Sequence, residues 1–276
     1  MIICQTIEEV RQFQSHLGKK TVGFVPTMGA LHKGHISLIE ESKKQCNITV
    51  CSIFVNPTQF NDKNDLARYP RTPEADIKLL EEASCDMLFM PSVEEMYPEP
   101  DTRVFDFSPI DKVLDGAHRL GHFNGVAQIV SKLFDAVKPS KAFFGQKDFQ
   151  QVLIIKTMVK QLKFTVEIVP CPILREADGL AMSSRNTLLT PEERQAAKLI
   201  PKIMQEAKEL AKSMSLKKLE QKLLDETKVE PLLKPDYIMF CDAETLQPVN
   251  DLNKKVVCLA AIFSGRIRLI DNILVN

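Results

Sequence analysis

T-V-G-F-V-P-T-M-G-A-L-H-K-G-H-I-S-L-I-E-E-S-K-K-Q, residues 21–45, is the stretch around which the rest of the chain is read. Val22 to Val25 form a β-branched and aromatic run that fits a buried strand. Pro26 cannot donate to a central ladder and Thr27-Met28-Gly29 has turn composition, so the strand is expected to stop there. From His35 onward Ile36, Leu38 and Ile39 sit among Ser, Glu and Lys, the pattern of a helix with one buried face. His32 and His35 thus fall at the mouth of a strand–loop–helix unit, on either side of Gly34. A helix N-terminus offers unpaired N–H groups and partial positive charge, and Gly29 and Gly34 lack a Cβ that would hold a phosphate away from the backbone. Two other readings of the pair stand beside this one. It is half of a zinc shell, for which no further Cys or His lies close in sequence, or it is two incidental loop histidines.

The pattern continues downstream. Residues 48–55 (I-T-V-C-S-I-F-V) are too continuously apolar for a solvent-facing strand and suit a parallel one covered on both sides. That strand runs out at Asn56-Pro57-Thr58-Gln59-Phe60, where open α/β sheets place ligands. Residues 61–68 (N-D-K-N-D-L-A-R) contain one large apolar side chain, Leu66, which predicts a segment poorly ordered without ligand that folds over the site. Residues 6–17 predict a short helix, Thr72-Pro73-Glu74 a helix start, residues 86–90 a third strand and residues 93–107 an irregular stretch broken by Pro98 and Pro100. Residues 115–122 (D-G-A-H-R-L-G-H) form a polar loop, after which Val126, Ile129, Val130, Leu133, Phe134 and Val137 keep helical spacing until Lys138-Pro139. Four of the five histidines therefore lie in two loops, each just before a helix.

Residues 141–144 are a brief strand followed by Gly145-Gln146-Lys147-Asp148. Asp148 and Gln151 have the spacing of a capping box, while Gly145 and Lys147 resemble a second phosphate-facing turn. Residues 164–169 are a further strand with Pro170 and Pro172 at its exit. By composition, R-E-A-D-G (175–179) and M-S-S-R-N (182–186) make a polar linker. Thr190-Pro191-Glu192-Glu193 is a full helix-start signature; Lys/Glu/Ala/Leu helices follow to about residue 228. Strands around 237–241, 256–262 and 266–270 come last, with a hairpin at Ser264-Gly265. The expected fold class is α/β: residues 1–175 form a doubly wound parallel sheet, and residues 176–276 a smaller C-terminal α+β domain with the M-S-S-R loop at its start.

Composition narrows the function. The 276 residues carry 36 Lys plus Arg against 36 Asp plus Glu, aromatics are few and Trp is absent, so neither a nucleic-acid nor an anionic-membrane surface is indicated. Seven scattered Cys with no C-x-x-C fit reduced thiols. No signal-peptide pattern opens the chain and the apolar run 256–263 is too short to span a bilayer, so a soluble, cytoplasmic protein is expected.

P-T-M-G-A-L-H-K-G-H, F-V-N-P-T-Q-F, Y-P-R-T, G-H-F-N-G-V, F-F-G-Q-K-D-F-Q-Q and R-E-A-D-G-L-A-M-S-S-R-N, in this order, resemble the pantoate–β-alanine ligases. The resemblance implies a Rossmann-like fold of the H-x-G-H nucleotidyltransferase type, ATP as substrate, Mg²⁺, a cytoplasmic homodimer, and condensation of pantoate with β-alanine through pantoyl adenylate. Met28, Gly29, Ala30, Leu31, His32, Lys33, Gly34 and His35 would line the ATP phosphates, with His35 the proton donor and His32 a second phosphate contact. Gly145, Gln146, Lys147 and Asp148 would hold ribose and phosphates, Lys147 neutralising the charge that builds as pyrophosphate leaves. Leu174 would meet the adenine. Met182, Ser183, Ser184 and Arg185 would form a mobile loop closing on the triphosphate, and Gln59 and Gln151 would grip pantoate. The family's R-P-G-H is here Arg119-Leu120-Gly121-His122, which is expected to loosen that turn. Two alternatives are an H-x-G-H adenylyltransferase acting on a phosphorylated metabolite and a non-catalytic nucleotide-binding module. The two glutamines favour a small polar acid, since a phosphorylated acceptor calls for Arg or Lys.

Overall fold

Apolar residues alternate between the two faces of the central strands, and helices cover both. The computed structural model describes residues 1–60 and 63–276. The order is β1 (Ile2–Cys4), α1 (Ile7–Ser15), β2 (Val22–Thr27), α2 (Lys33–Gln45), β3 (Ile48–Ile53), a 3₁₀ turn at Pro57–Gln59, α3 (Lys63–Arg68), α4 (Pro73–Glu82), β4 (Met87–Phe89) and α5 (Val93–Met96). Next come α6 (Leu114–His118), α7 (His122–Val137), β5 (Lys141–Gly145), a 3₁₀ turn at Gln146–Asp148, α8 (Phe149–Gln161) and β6 (Glu167–Cys171). A 3₁₀ segment at Ser184–Leu188 leads to α9 (Pro191–Ala197), α10 (Leu199–Leu210), α11 (Leu216–Val229), β7 (Leu233–Asp242), β8 (Val256–Ser264) and β9 (Ile267–Leu274).

The first six strands make one parallel sheet in the order β1-β4-β3-β2-β5-β6. From β2 the chain moves outward through β3 to β4, then returns to lay β5 on the other side of β2. The strand order thus reverses between β2 and β5, where such sheets open a crevice at their carboxyl ends. Phe24 and Val50 face a core shared with α1, α7 and α8, whereas Val25 and Cys51 face one shared with α2 and α4. The last three strands form an antiparallel sheet, β7-β8-β9, packed on α9, α10 and α11. Its other side joins Leu114 of α6 to Cys241, Val257 and Leu259 in a further apolar cluster, against which Phe149 and Leu153 of α8 pack. A parallel α/β sheet with a smaller antiparallel unit is the architecture expected.

Several local expectations are corrected. Pro26 does not end β2, which pairs with β3 as far as Thr27↔Ile53. Val22 turns its polar backbone toward β5, bonding Ser140, and Thr27 turns its carbonyl toward Phe54. By alternation, Pro26 presents its missing donor on the β5 side, where pairing has already stopped at Phe24↔Ala142. Pro170 lies inside β6, an edge strand, where a proline is tolerated. Residues 63–68, expected to be poorly ordered, form α3; Asn61 and Asp62 lie outside the described residues. Of the four histidines expected in loops before helices only His32 is one, as the residue just before α2; His35 lies in the first turn of α2, His118 in α6, and His122 is the first residue of α7. β1 and α5 were not expected from the sequence; both are short, three and four residues.

Candidate active site

The carboxyl ends of β2 and β5 open into a cleft of about 700 Å³, continuous through Met28, Gln59, Lys147, Gln151, Ser184 and Arg185 with an inner pocket of about 240 Å³. His32, Gly34, His35, Gly145, Leu174 and Met182 line the inner pocket, and Asp148 and Ser183 border both. Gly29, Ala30, Leu31, Lys33 and Gln146, also expected to contact ATP, do not line either space.

The geometry of the first loop explains the split. Gly29 (φ 82°) and Ala30 (φ 50°) both occupy the left-handed region, a strained choice for alanine. Asp76 of α4, 1% exposed, holds them there: the Ala30 N–H donates to its Oδ2 (2.9 Å) and the Leu31 N–H to its Oδ1 (2.8 Å). Backbone donors expected to face a phosphate are thus committed to a carboxylate. Sequence reasoning missed Asp76, although it lies one turn before the buried Leu80 on the same helix face, an unusual place for an acid.

The helix that follows is capped by the two histidines themselves. The Gly34 N–H donates to His32 Nδ1 (3.1 Å), and the His32 N–H donates to His35 Nδ1 (3.3 Å), a capping box written in imidazole. Gly34 is needed because a Cβ there would meet the His32 ring at 2.8 Å. With both Nδ1 atoms accepting, the hydrogen-bond network assigns the proton of each neutral ring to Nε2. Burial lowers the His35 pKa to about 3, helped by His32 and Lys147, and burial followed by Lys147 lowers that of His32. The rings lie 4.1 Å apart between centroids. At neutral pH they offer uncharged N–H donors rather than imidazolium.

Across the cleft Gln59, 9% exposed, ends the 3₁₀ turn after β3 and donates from Nε2 to Met28 Sδ (2.9 Å). Its backbone is fixed by His122, whose Nδ1–H donates to the Gln59 carbonyl (2.8 Å) while Arg119 Nη1 donates to His122 Nε2 (3.1 Å). Burial, then Arg119, lowers the His122 pKa to about 4, so this ring also stays neutral. A Cβ on Gly125 would strike the Thr58 carbonyl, and Asn56 Nδ2 bonds the Gly125 carbonyl (3.0 Å), locking α7 against the Gln59 turn. Within the turn that carries Leu120 in place of the family's proline, Arg119 and His122 are bonded to each other, and Leu120 itself is exposed.

The capping box expected of Asp148 and Gln151 does not form. The Gln146–Asp148 turn runs straight into α8, leaving Asp148 at ψ 58° rather than in the extended geometry that aims a cap side chain at the helix. Gln151 lines the cleft instead. Lys147 reaches it with a 19% exposed side chain, its Nζ 3.9 Å from Asp148 Oδ1. The Met182–Arg185 stretch leaves a short hairpin closed by the Arg175↔Ala181 bridge and the Met182 N–H to Leu174 carbonyl bond (3.0 Å). Glu176 anchors it, accepting from Asn186 Nδ2 (2.6 Å) and from Arg194 of α9 (2.7 Å). Glu176 and Arg194 are 18 residues apart, so spacing gave no signal for them.

A crevice at the switch point of a parallel sheet, lined by neutral donors, a lysine and a serine–arginine loop, marks the class of α/β enzymes that work on nucleotide phosphates. The pantoate-beta-alanine ligase family profile matches residues 2–274. A Bacteroides fragilis pantothenate synthetase is 52% identical over 99% of this chain and 98% of its own. The crystal structure of pantothenate synthetase from Thermus thermophilus superposes with a TM-score of 0.94 at 42% identity, covering 100% of this chain and 99% of that one. A Francisella tularensis pantoate-beta-alanine ligase, solved in complex with beta-gamma ATP and beta-alanine, superposes with a TM-score of 0.84 at 38% identity, covering 99% and 97%. The chain belongs to the pantoate–β-alanine ligase family, and is by that membership an enzyme, a ligase.

Proposed function

We infer that this chain condenses pantoate with β-alanine at the expense of ATP, in two half-reactions at the cleft between β2 and β5. In the first, a pantoate carboxylate oxygen bonds to the α-phosphorus, the bond to the β-phosphate oxygen breaks and pyrophosphate departs with the electron pair. In the second, the β-alanine nitrogen attacks the acyl carbon, AMP leaves and the amine loses a proton. No protein nucleophile is required; the work is positioning and charge stabilisation. His35 and His32 donate from Nε2 to phosphate oxygens, Lys147 offsets the charge developing on the leaving pyrophosphate, Leu174 flanks the base, and Ser183, Ser184 and Arg185 close on the triphosphate.

Carrying this reading is the pairing of Gln59 and Gln151 on the same cleft as Lys147. Neutral amides bond hydroxyl and carboxylate without adding charge beside the attacking oxygen. Mg²⁺ takes few protein ligands when phosphate oxygens are present, and of the cleft carboxylates Asp115 and Asp271 are engaged by Arg268 and Arg175, so Asp148 would fit such a role; the ion would neutralise triphosphate charge. A homodimer belongs to the same reading, with the exposed apolar Val104 and Leu120 as surface it would cover. So do cytoplasmic residence, and a division at 175/176 into an ATP- and pantoate-binding unit and a smaller one. Among the described residues no helix is long and apolar enough to cross a membrane.

Pyrophosphate–ATP exchange without β-alanine tests the first half-reaction. Exchange that depends on pantoate is expected. Exchange with a phosphorylated acceptor instead would point to an adenylyltransferase, and no exchange with any acid to a binding module.

A further inference from the structure

β9 of the smaller unit reaches the cleft with two consecutive side chains. Asn272, 2% exposed, donates from Nδ2 to the carbonyl of Gln146 (3.0 Å) and to that of Lys147 (2.9 Å). Those two carbonyls belong to the 3₁₀ turn that carries Lys147 into the site. Its neighbour Asp271, also 2% exposed, takes the Arg175 guanidinium in two bonds, Nη1 to Oδ2 (2.7 Å) and Nη2 to Oδ1 (2.9 Å). Arg175 Nη1 also bonds the Gly179 carbonyl (3.0 Å), and Arg175 bridges to Ala181, so the root of the hairpin that issues into Met182–Arg185 is held as well. One dipeptide therefore grips both walls of the phosphate site, the Lys147 turn and the base of the Ser183–Arg185 loop.

Asn272 shows that this grip is not made for packing alone. Its two amide protons face two separate carbonyls, which fixes which end of the amide is nitrogen, and its Oδ1 is then buried without a hydrogen-bond partner among the described residues. Burying an unpaired carbonyl is destabilising, so a side chain kept only for stability would bond at both ends or be apolar. Asp cannot donate to either carbonyl, and Ser has one proton for two acceptors.

We propose that Asn272 and Asp271 are positioning residues for the adenylation half-reaction: they set the Lys147 turn and the Ser183–Arg185 loop at a fixed separation across the triphosphate. The inference rests on the role given to Lys147 above. It predicts a split between half-reactions, because pyrophosphate leaves only in the first. In the second, the β-alanine nitrogen displaces AMP and no pyrophosphate charge needs a lysine.

The test uses the full chain with Asn272→Asp and Asn272→Ser, and Lys147→Ala beside them. Pantoate-dependent pyrophosphate–ATP exchange should slow ~10–100-fold in both Asn272 variants, the scale of a displaced catalytic group. Their pantoate KM, set by Gln59 and Gln151, should hold within about 2-fold, as should single-turnover conversion of synthetic pantoyl adenylate with β-alanine. Should Asn272→Asp fail to fold, the smaller Asn272→Ser carries the comparison. Normal exchange in a folded Asn272 variant, or equal loss of both half-reactions, overturns the positioning role. Slow exchange in Lys147→Ala beside normal exchange in Asn272→Ser overturns that role alone. Normal exchange in Lys147→Ala overturns the assignment of Lys147 and this inference with it.

Discussion

His35 accepts at Nδ1 and so has a single proton to give, from Nε2, and burial keeps the ring uncharged. If that proton steadies a phosphate oxygen in the adenylation transition state, His35→Ala should lower kcat by ~10²–10³ with only a modest rise in the ATP KM. Near-normal turnover by a folded variant would remove the residue from the mechanism. The same ring has a stability signature. Its folded pKa, about 3, lies below the ordinary histidine value, so on acidification the unfolded chain takes up a proton that the folded one refuses. The folded state thus keeps its full stability above about pH 6.5 and loses it as pH falls toward 3, at up to about 1.4 kcal/mol per pH unit. His122, at about 4, adds a parallel loss. Urea unfolding of His35→Ala between about pH 7 and 4.5 should therefore show a shallower acid slope than wild type, and identical slopes would mean the ring is not buried neutral.

Between elements, the decisive contacts join parts of the chain far apart in sequence. Asp76 on α4 holds the strained Gly29-Ala30 turn that leads into α2. Asp76→Ala would leave the Ala30 and Leu31 N–H groups without their acceptor, at about 1–3 kcal/mol each, so unfolding free energy should fall by roughly 2–6 kcal/mol. The ATP KM should rise as well, because the loop carries His32 and His35; unchanged stability and KM would show the turn holds itself. What the sequence made legible here was local. Thr190 and Glu193 form the capping box their spacing announces, and Lys138 ends α7 in the left-handed region just before Pro139. Asp148 and Gln151 have equally good spacing, yet a preceding 3₁₀ turn removes the geometry a cap needs. Asp76, Asn272 and Glu176 act on partners 45, 126 and 18 residues away, and no periodicity in one chain encodes such distances. The residues of the motif blocks were legible; the side chains that hold those blocks in place were not.

For the whole molecule, the two units share a core rather than merely touching. Leu114 closes one apolar cluster with Cys241, Val257 and Leu259, and Phe149 and Leu153 pack onto it. Polar contacts border the same junction: Arg268 Nη2 bonds Asp115 Oδ1 (2.6 Å), and the Tyr237 hydroxyl donates to the same oxygen (2.9 Å). Burial works against the Asp115 carboxylate, but Arg268 and Tyr237 prevail and keep its pKa below the usual range. Removing either unit would uncover this cluster, so the chain should melt as one cooperative unit, with calorimetric and van't Hoff enthalpies equal. Two resolved endotherms would show that the units fold independently. The alternation of strands and helices made the parallel sheet legible from the sequence, and the Lys/Glu/Ala/Leu helices after Thr190 marked a second unit. The cluster between them was not legible, because apolar residues on β8 look the same whichever side they face.

The imidazole capping box of α2 has a bearing on how this chain can change over evolutionary time. Position 32 caps the helix and lines the inner pocket, and with the phosphate contact proposed for it above it serves two masters, the start of a helix and the chemistry of the cleft. Ser, Asp or Asn would cap α2 at least as well as histidine, so the substitutions that folding tolerates most readily there are ones that silence the enzyme. Selection for stability and selection for turnover pull position 32 in opposite directions, and a lineage released from the need for the reaction should drift toward an ordinary cap at this site first, keeping its fold while losing its activity.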